Sequence, residues 1–254
     1  MAAPTKSAAF FDVDNTLVRG SSLYFLGRGM YQRGFFTKAD ITRFVVANLR
    51  FRLTGTEKKA EIEKFQNAAT SFVAGHKVDE ILKLGEEIYD EFVSPKLWQG
   101  TCEIAQSHIK RDEEVWLVTA APQDLANIIS QRLGLTGALG SKVVSTNGVY
   151  TGELDGNLLH GAEKAIAITK LAQERGFDLD KCYSYSDSHN DLPLLTAVGN
   201  PSAINPDAVL RIRALAEGWP IHDFRRARFV NRLLGPAVSR IAAAGIFLTP
   251  RRKR

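Results

Sequence analysis

Three short apolar runs constrain this chain most. Ala8 to Val13, Val115 to Val118 and Cys182 to Ser186 each end against oxygen-bearing side chains: Asp12 and Asp14, Thr119, and Asp187. The first two are apolar at nearly every position, with no in-and-out alternation, which suits a strand covered on both faces, as in a parallel sheet, and Cys182 to Ser186 repeats their arrangement before an acidic turn. Helix-like segments follow the second and third runs, at Gln123 to Leu133 and Leu192 to Val198. This alternation predicts a doubly wound, Rossmann-like α/β sheet, in which ligands bind beyond the carboxyl ends of the strands. A chain of 254 residues, 44% hydrophobic, supplies one sizeable core, or a core with a smaller inserted domain.

Between the first two runs, Ser21 to Arg111 is rich in helix formers and lacks strand alternation. It breaks near Gly34-Phe35-Phe36-Thr37, Thr54-Gly55, Gly75 and Ser94-Pro95, and predicts a helical insertion. Phe44-Val45-Val46 with Leu49, and Ile81-Leu82 with Leu84 and Ile88, follow helical spacing and suit core stripes. Farther on, Asn147-Gly148 and Asp155-Gly156 sit between β-prone residues and predict one or two short hairpins within Ser141 to Leu159. Cys102 and Cys182 lie far apart with no CxxC spacing, so they read as buried thiols in a reducing compartment. Met1 to Ser7 lacks a secretory h-region, and the expected location is cytoplasmic.

The candidate chemistry lies where the runs end. Asp12-Val13-Asp14-Asn15-Thr16 holds two carboxylates two residues apart, which on a continuing strand would share one face and repel. A proton or a divalent cation would relieve them. Such a pair suits phosphoryl transfer, one carboxylate attacking phosphorus while the other serves the leaving oxygen; it also suits a plain acidic turn. Asp187-Ser188-His189-Asn190-Asp191 is a second acidic pair, readable either as hard oxygen ligands for Mg²⁺ or as an Asx turn with a helix cap. Thr119 could face a phosphate at a helix start, or simply cap it. Lys164, opening a helix over Ala162 to Arg175, could offset the carboxylate charge or sit in solvent.

Taken in order, Asp12 to Thr16, Thr119, Lys164 and Asp187 to Asp191 resemble the four motifs of haloacid dehalogenase-like phosphatases, in their phosphoserine-phosphatase-like branch. The resemblance covers about residues 8 to 223 and implies a core of residues 1–20 and 95–223. It further implies a helical C1-type cap over 21–94 and a tail over 224–254. It also implies a Mg²⁺-dependent phosphomonoesterase acting on a small phosphorylated metabolite through an aspartyl-phosphate. Asp12 matches the nucleophile and a metal ligand. Asp14 matches the general acid/base, whose backbone carbonyl also meets the metal. Thr119, Lys164 and Asn190 match the phosphate-side groups, while Asp187 matches a direct metal ligand and Asp191 its supporting carboxylate. The carboxylate at position 14 favours hydrolysis over transport.

Two positions depart from phosphoserine-specific members. Ser21 stands where those carry a Glu for the substrate amine, and Ala120-Ala121 where they carry a Gly pair. Both argue against free phosphoserine, and specificity is expected from the cap. Arg43, Arg50, Arg52 and Lys58 are candidates for a second anionic group, and His189 for lining the pocket. Residues 224–254 hold nine Arg or Lys and no acid, more than the net charge of +5, so the rest of the chain is net acidic. Apolar residues from Phe229 to Ile241 recur at helical spacing, predicting a basic amphipathic helix suited to an anionic membrane surface. That feature and the missing Glu open one alternative, a lipid phosphomonoesterase at the inner membrane face; a second, from a different class, is a non-catalytic regulator that uses the metal site only to sense phosphorylated ligands. Nucleic acid is not an expected partner, and Arg232, Gly235, Pro236 and Arg240 argue against a membrane span.

Overall fold

The computed structural model describes residues 6–35 and 73–225. In chain order these form β1 (Ala8–Phe11), α1 (Ser22–Gln32), α2 (Val78–Ile88), α3 (Gln99–Ile109), β2 (Glu114–Pro122) and α4 (Gln123–Arg132). There follow β3 (Gly137–Ser141), β4 (Val143–Thr146), β5 (Val149–Leu154), α5 (Ala162–Arg175) and β6 (Tyr183–Ser186). The described chain closes with α6 (Leu192–Thr196), β7 (Asn200–Ile204), α7 (Ala208–Glu217) and β8 (Ile221–His222).

Six of these strands make one parallel sheet in the order β3-β2-β1-β6-β7-β8. Every residue of β1 is fully buried, which accounts for its unbroken apolar sequence. Alternate side chains enter different cores. Ala9, Phe11, Val115 and Leu117 join the cluster containing Ile88, Leu125 and Ile129. Ala8, Phe10, Trp116 and Val118 join the one containing Ile168, Leu171 and Leu194. Phe10 and Phe11 each contribute about 1.5–3 kcal/mol by leaving water, and Phe11 also stacks on Tyr185 at 4.3 Å between centroids. Helices therefore cover both faces, as the apolar runs predict.

The insertion's described residues are helical. α1 starts at Ser21, whose Oγ accepts from the Tyr24 N–H at 3.4 Å, and stops at Arg33 and Gly34. Its Gly29 lies against Ile88, the last residue of α2. α2 runs directly into a π-helical turn over Tyr89–Val93 and a 3₁₀ turn over Ser94–Lys96 that contains Pro95. The predicted breaks at Gly34, Gly75 and Ser94-Pro95 thus coincide with element ends. Thr54-Gly55, the Phe44 stripe, Arg43, Arg50, Arg52, Lys58 and the proposed tail helix lie outside the described residues.

Two expectations change, the end of β2 and the burial of Cys102, and the hairpin expectation resolves to one. β2 runs through Thr119 to Pro122, because Pro122 still pairs with Ser141 of β3 after a register shift; Thr119 therefore lies within the strand instead of beyond it. Asn147 and Gly148, at φ 52° and 76°, form the two-residue turn joining β4 to β5, with Thr146 opposite Val149. Asp155-Gly156 makes a bend and no second hairpin. Of the two thiols only Cys182 is buried; Cys102 is half-buried, and both are free.

Candidate active site

The chain lays down β1, then β2 and β3 outward on one side, then β6, β7 and β8 on the other. The order reverses between β1 and β6, and the crevice beyond their carboxyl ends is where such sheets take ligands. Asp12 is the first residue past β1 and Asp187 the first past β6. The Asp12 N–H still donates to the Tyr185 carbonyl at 2.9 Å, so the two strand ends stay paired up to the crevice. Thr119 comes from β2, the other neighbour of β1.

α5 brings the countercharge. Lys164 is buried in its first turn, and Nζ lies 2.6 Å from Asp12 Oδ1 and 2.7 Å from Asp191 Oδ2. Burial opposes the ammonium, but the charges and hydrogen bonds of Asp12 and Asp191 outweigh it and raise the Lys164 pKa. Burial also lifts the Asp12 carboxyl to about 6; Lys164 opposes that rise, and the charges of Asp191 and Asp14 add to it. Asp187 is pushed up to about 8, first by burial and then by the charges of Asp12 and Asp191. One ammonium thus faces more carboxylate than it neutralises, and the cluster is built for further positive charge.

The donor set fits a hard divalent cation. Thr16 Oγ1 lies 2.9 Å from Asp12 Oδ2 and 3.5 Å from Asp187 Oδ1, so these two carboxylates border one hydroxyl. Among the described residues no three His, Cys, Asp or Glu side chains form a ready cage. Mg²⁺ needs none, since it is typically held by one or two carboxylates together with waters and substrate phosphate. Asp191 Oδ2 is already engaged by Lys164 and by Ser186 Oγ at 2.8 Å.

The other candidates spread around this centre. Asp14 Oδ1 accepts from both the N–H and the hydroxyl of Ser22, at 2.8 and 2.6 Å. Thr119 is buried, and its Oγ1 accepts from the Ala121 N–H at 3.1 Å. Asn190 is exposed, its N–H directed to Ser188 Oγ at 3.2 Å. His189, also exposed, pairs through Nδ1 with Asp207 at 2.9 Å. Sequence reasoning gives no role to Ser22, Ser186 or Asn205, which buttress the acidic side chains or the loop that carries them. Asn205 donates to the Asn15 carbonyl at 3.3 Å and accepts from the Phe224 N–H at 2.8 Å. Serines and asparagines at such positions carry no distinguishing local pattern; only their proximity to the acidic motifs could have marked them.

The sequence model for haloacid dehalogenase-like hydrolases matches residues 9–196, from β1 through α6. The chain belongs to this family. Within this haloacid dehalogenase-like family its relatives are of the phosphoserine-phosphatase-like branch, and it is an enzyme of the phosphatase kind. Phosphoserine phosphatase SerB1 of Mycobacterium tuberculosis H37Rv is 48% identical over 239 residues, covering 94% of this chain and 78% of that protein. A histidinol-phosphatase of Neisseria meningitidis serogroup C is 28% identical over 224 residues, covering 87% of this chain and 100% of the relative. A solved structure of a protein with unknown function from Bordetella pertussis Tohama I superposes with a TM-score of 0.76 at 27% identity. That likeness covers 87% of this chain and 99% of the other.

Proposed function

We propose that the chain is a Mg²⁺-dependent phosphomonoesterase that hydrolyses a small phosphorylated metabolite through an aspartyl-phosphate on Asp12. The observation that carries this reading is the buried trio of Asp12, Lys164 and Asp191 at the sheet's switch point. Asp12 attacks phosphorus, the bond from phosphorus to the ester oxygen breaks, and Asp14 gives that oxygen a proton. Asp14 then takes a proton from water as the water's oxygen attacks phosphorus, returning the Asp12 carboxylate and releasing inorganic phosphate. Asp12, Asp187 and the Asp14 carbonyl would hold the Mg²⁺, which would supply electrostatic stabilisation of the charge on the transferring group. Lys164 adds a fixed positive charge, Thr119 and Asn190 hold phosphate oxygens, and Asp191 keeps Lys164 in place.

For the domain division we propose residues 1–20 and 95–223 as the catalytic core and 21–94 as the cap. In support, α1 and α2, which follow β1 and precede β2 in the chain, pack on one another. Ser21 caps α1 with its hydroxyl and brings no charge, leaving nothing there to pair with a substrate ammonium. Free phosphoserine is accordingly expected to turn over more slowly than phosphate esters that lack an amine. Purified protein with Mg²⁺ is expected to hydrolyse an aryl phosphate, and Asp12→Asn to reduce turnover to background. Activity that persists in Asp12→Asn would refute the nucleophile assignment. A panel of phosphorylated amino acids, sugars, nucleotides and glycerolipids then ranks the substrates.

A further inference from the structure

Asp14 carries its chemistry on a carboxyl group with two oxygens, and the structure treats them unequally. Oδ1 accepts two hydrogen bonds from a single residue, from the Ser22 hydroxyl at 2.6 Å and the Ser22 backbone N–H at 2.8 Å. Ser22 is fully buried and is the first residue of α1. Its N–H is one of the donors that the helix itself leaves free at that end. An oxygen receiving two donors has no place for a proton of its own. We infer that Ser22 is a positioning residue: by engaging Asp14 Oδ1 twice, it confines the transferable proton to Oδ2 and fixes the direction in which that proton is delivered.

The inference rests on the proposed role of Asp14 as acid and base. The hydroxyl contact is the shorter of the two, at 2.6 Å against 2.8 Å. Without it, the Asp14 side chain keeps one anchor, and its proton can reside on either oxygen. The consequence falls on the step that needs the proton. An alkyl alkoxide is a poor leaving group and depends on protonation as its bond to phosphorus breaks. A nitrophenolate leaves with little help. The same α1 belongs to the helical insertion, so the acid is tied by Ser22 to that element.

The test compares kcat/KM for an alkyl phosphate, glycerol phosphate, with that for p-nitrophenyl phosphate. The ratio kcat/KM covers binding and the first transfer only, and omits the later attack of water. Ser22→Ala and the nearly isosteric Ser22→Cys, a far weaker donor, are each measured beside the wild type. Both are expected to lower kcat/KM on the alkyl ester by about 10-fold or more, with much less change on the aryl ester. Retained aryl turnover shows that the variant is folded. Equal losses on both esters, or no loss on either, would overturn the assignment to Ser22. Wild-type turnover and its loss in Asp12→Asn test the proposed function separately, so the two readings can fail independently.

Discussion

Lys164 shows how much one charge carries at the level of single residues. Its Nζ touches two buried carboxylates, so removing the charge leaves Asp12 and Asp191 facing one another without a cation between them. Lys164→Met, which keeps the length of the side chain, is predicted to abolish turnover and to cost about 3–5 kcal/mol in urea unfolding at neutral pH. Because a carboxylate can escape by taking a proton, the loss should be smaller at pH 5 than at pH 8. An equal loss at both would show that the ammonium does not offset those charges. The acidic residues themselves were legible in the sequence because they fall in short, contiguous clusters directly after apolar runs. Their supports were not. Ser22 and Ser186 are ordinary serines until the fold sets them against Asp14 and Asp191.

At the scale of elements, the strands of the main sheet that could be read were those nearest its centre, β1, β2 and β6. β3 escapes notice because Gly137 opens it, and that glycine is required by contact: a Cβ there would come within 2.5 Å of the Trp116 ring. β7 begins Asn200-Pro201-Ser202, a sequence with turn character, and its pairing with β6 overrides that local preference. The α1–α2 contact offers a direct test of the insertion's packing. A Cβ at Gly29 would lie 2.4 Å from Ile88 Cγ1, and Ile88 is fully buried. Gly29→Ala gains about 1 kcal/mol of helix propensity, whereas overpacking of this kind costs about 1–3 kcal/mol. The variant is expected to unfold at lower urea concentration than the wild type; a higher midpoint would show that the helices do not meet there.

At the scale of the whole molecule, the site exists only when the sheet is assembled. Asp12 and Asp187 follow β1 and β6, and Lys164 arrives on a helix between β5 and β6. A cation that binds only this folded arrangement stabilises it by mass action. The sign of the pH dependence follows from the two raised carboxyl groups, Asp12 at about 6 and Asp187 at about 8. Between their ordinary values near 4 and these, the folded state holds protons that the unfolded chain has released. Their contribution to stability is therefore greatest at low pH and is lost as pH rises toward 8. A divalent cation replaces those protons, so added Mg²⁺ is predicted to raise Tm more at pH 8 than at pH 5, and Asp187→Asn to remove most of the difference. A shift independent of pH would place the ion elsewhere. The most direct measurement of the central claim is mass spectrometry of protein acid-quenched during turnover of an aryl phosphate with Mg²⁺. One phosphoryl group is predicted on the peptide that contains Asp12, and none in Asp12→Asn; a phosphoryl group on any other residue during active turnover would contradict the account.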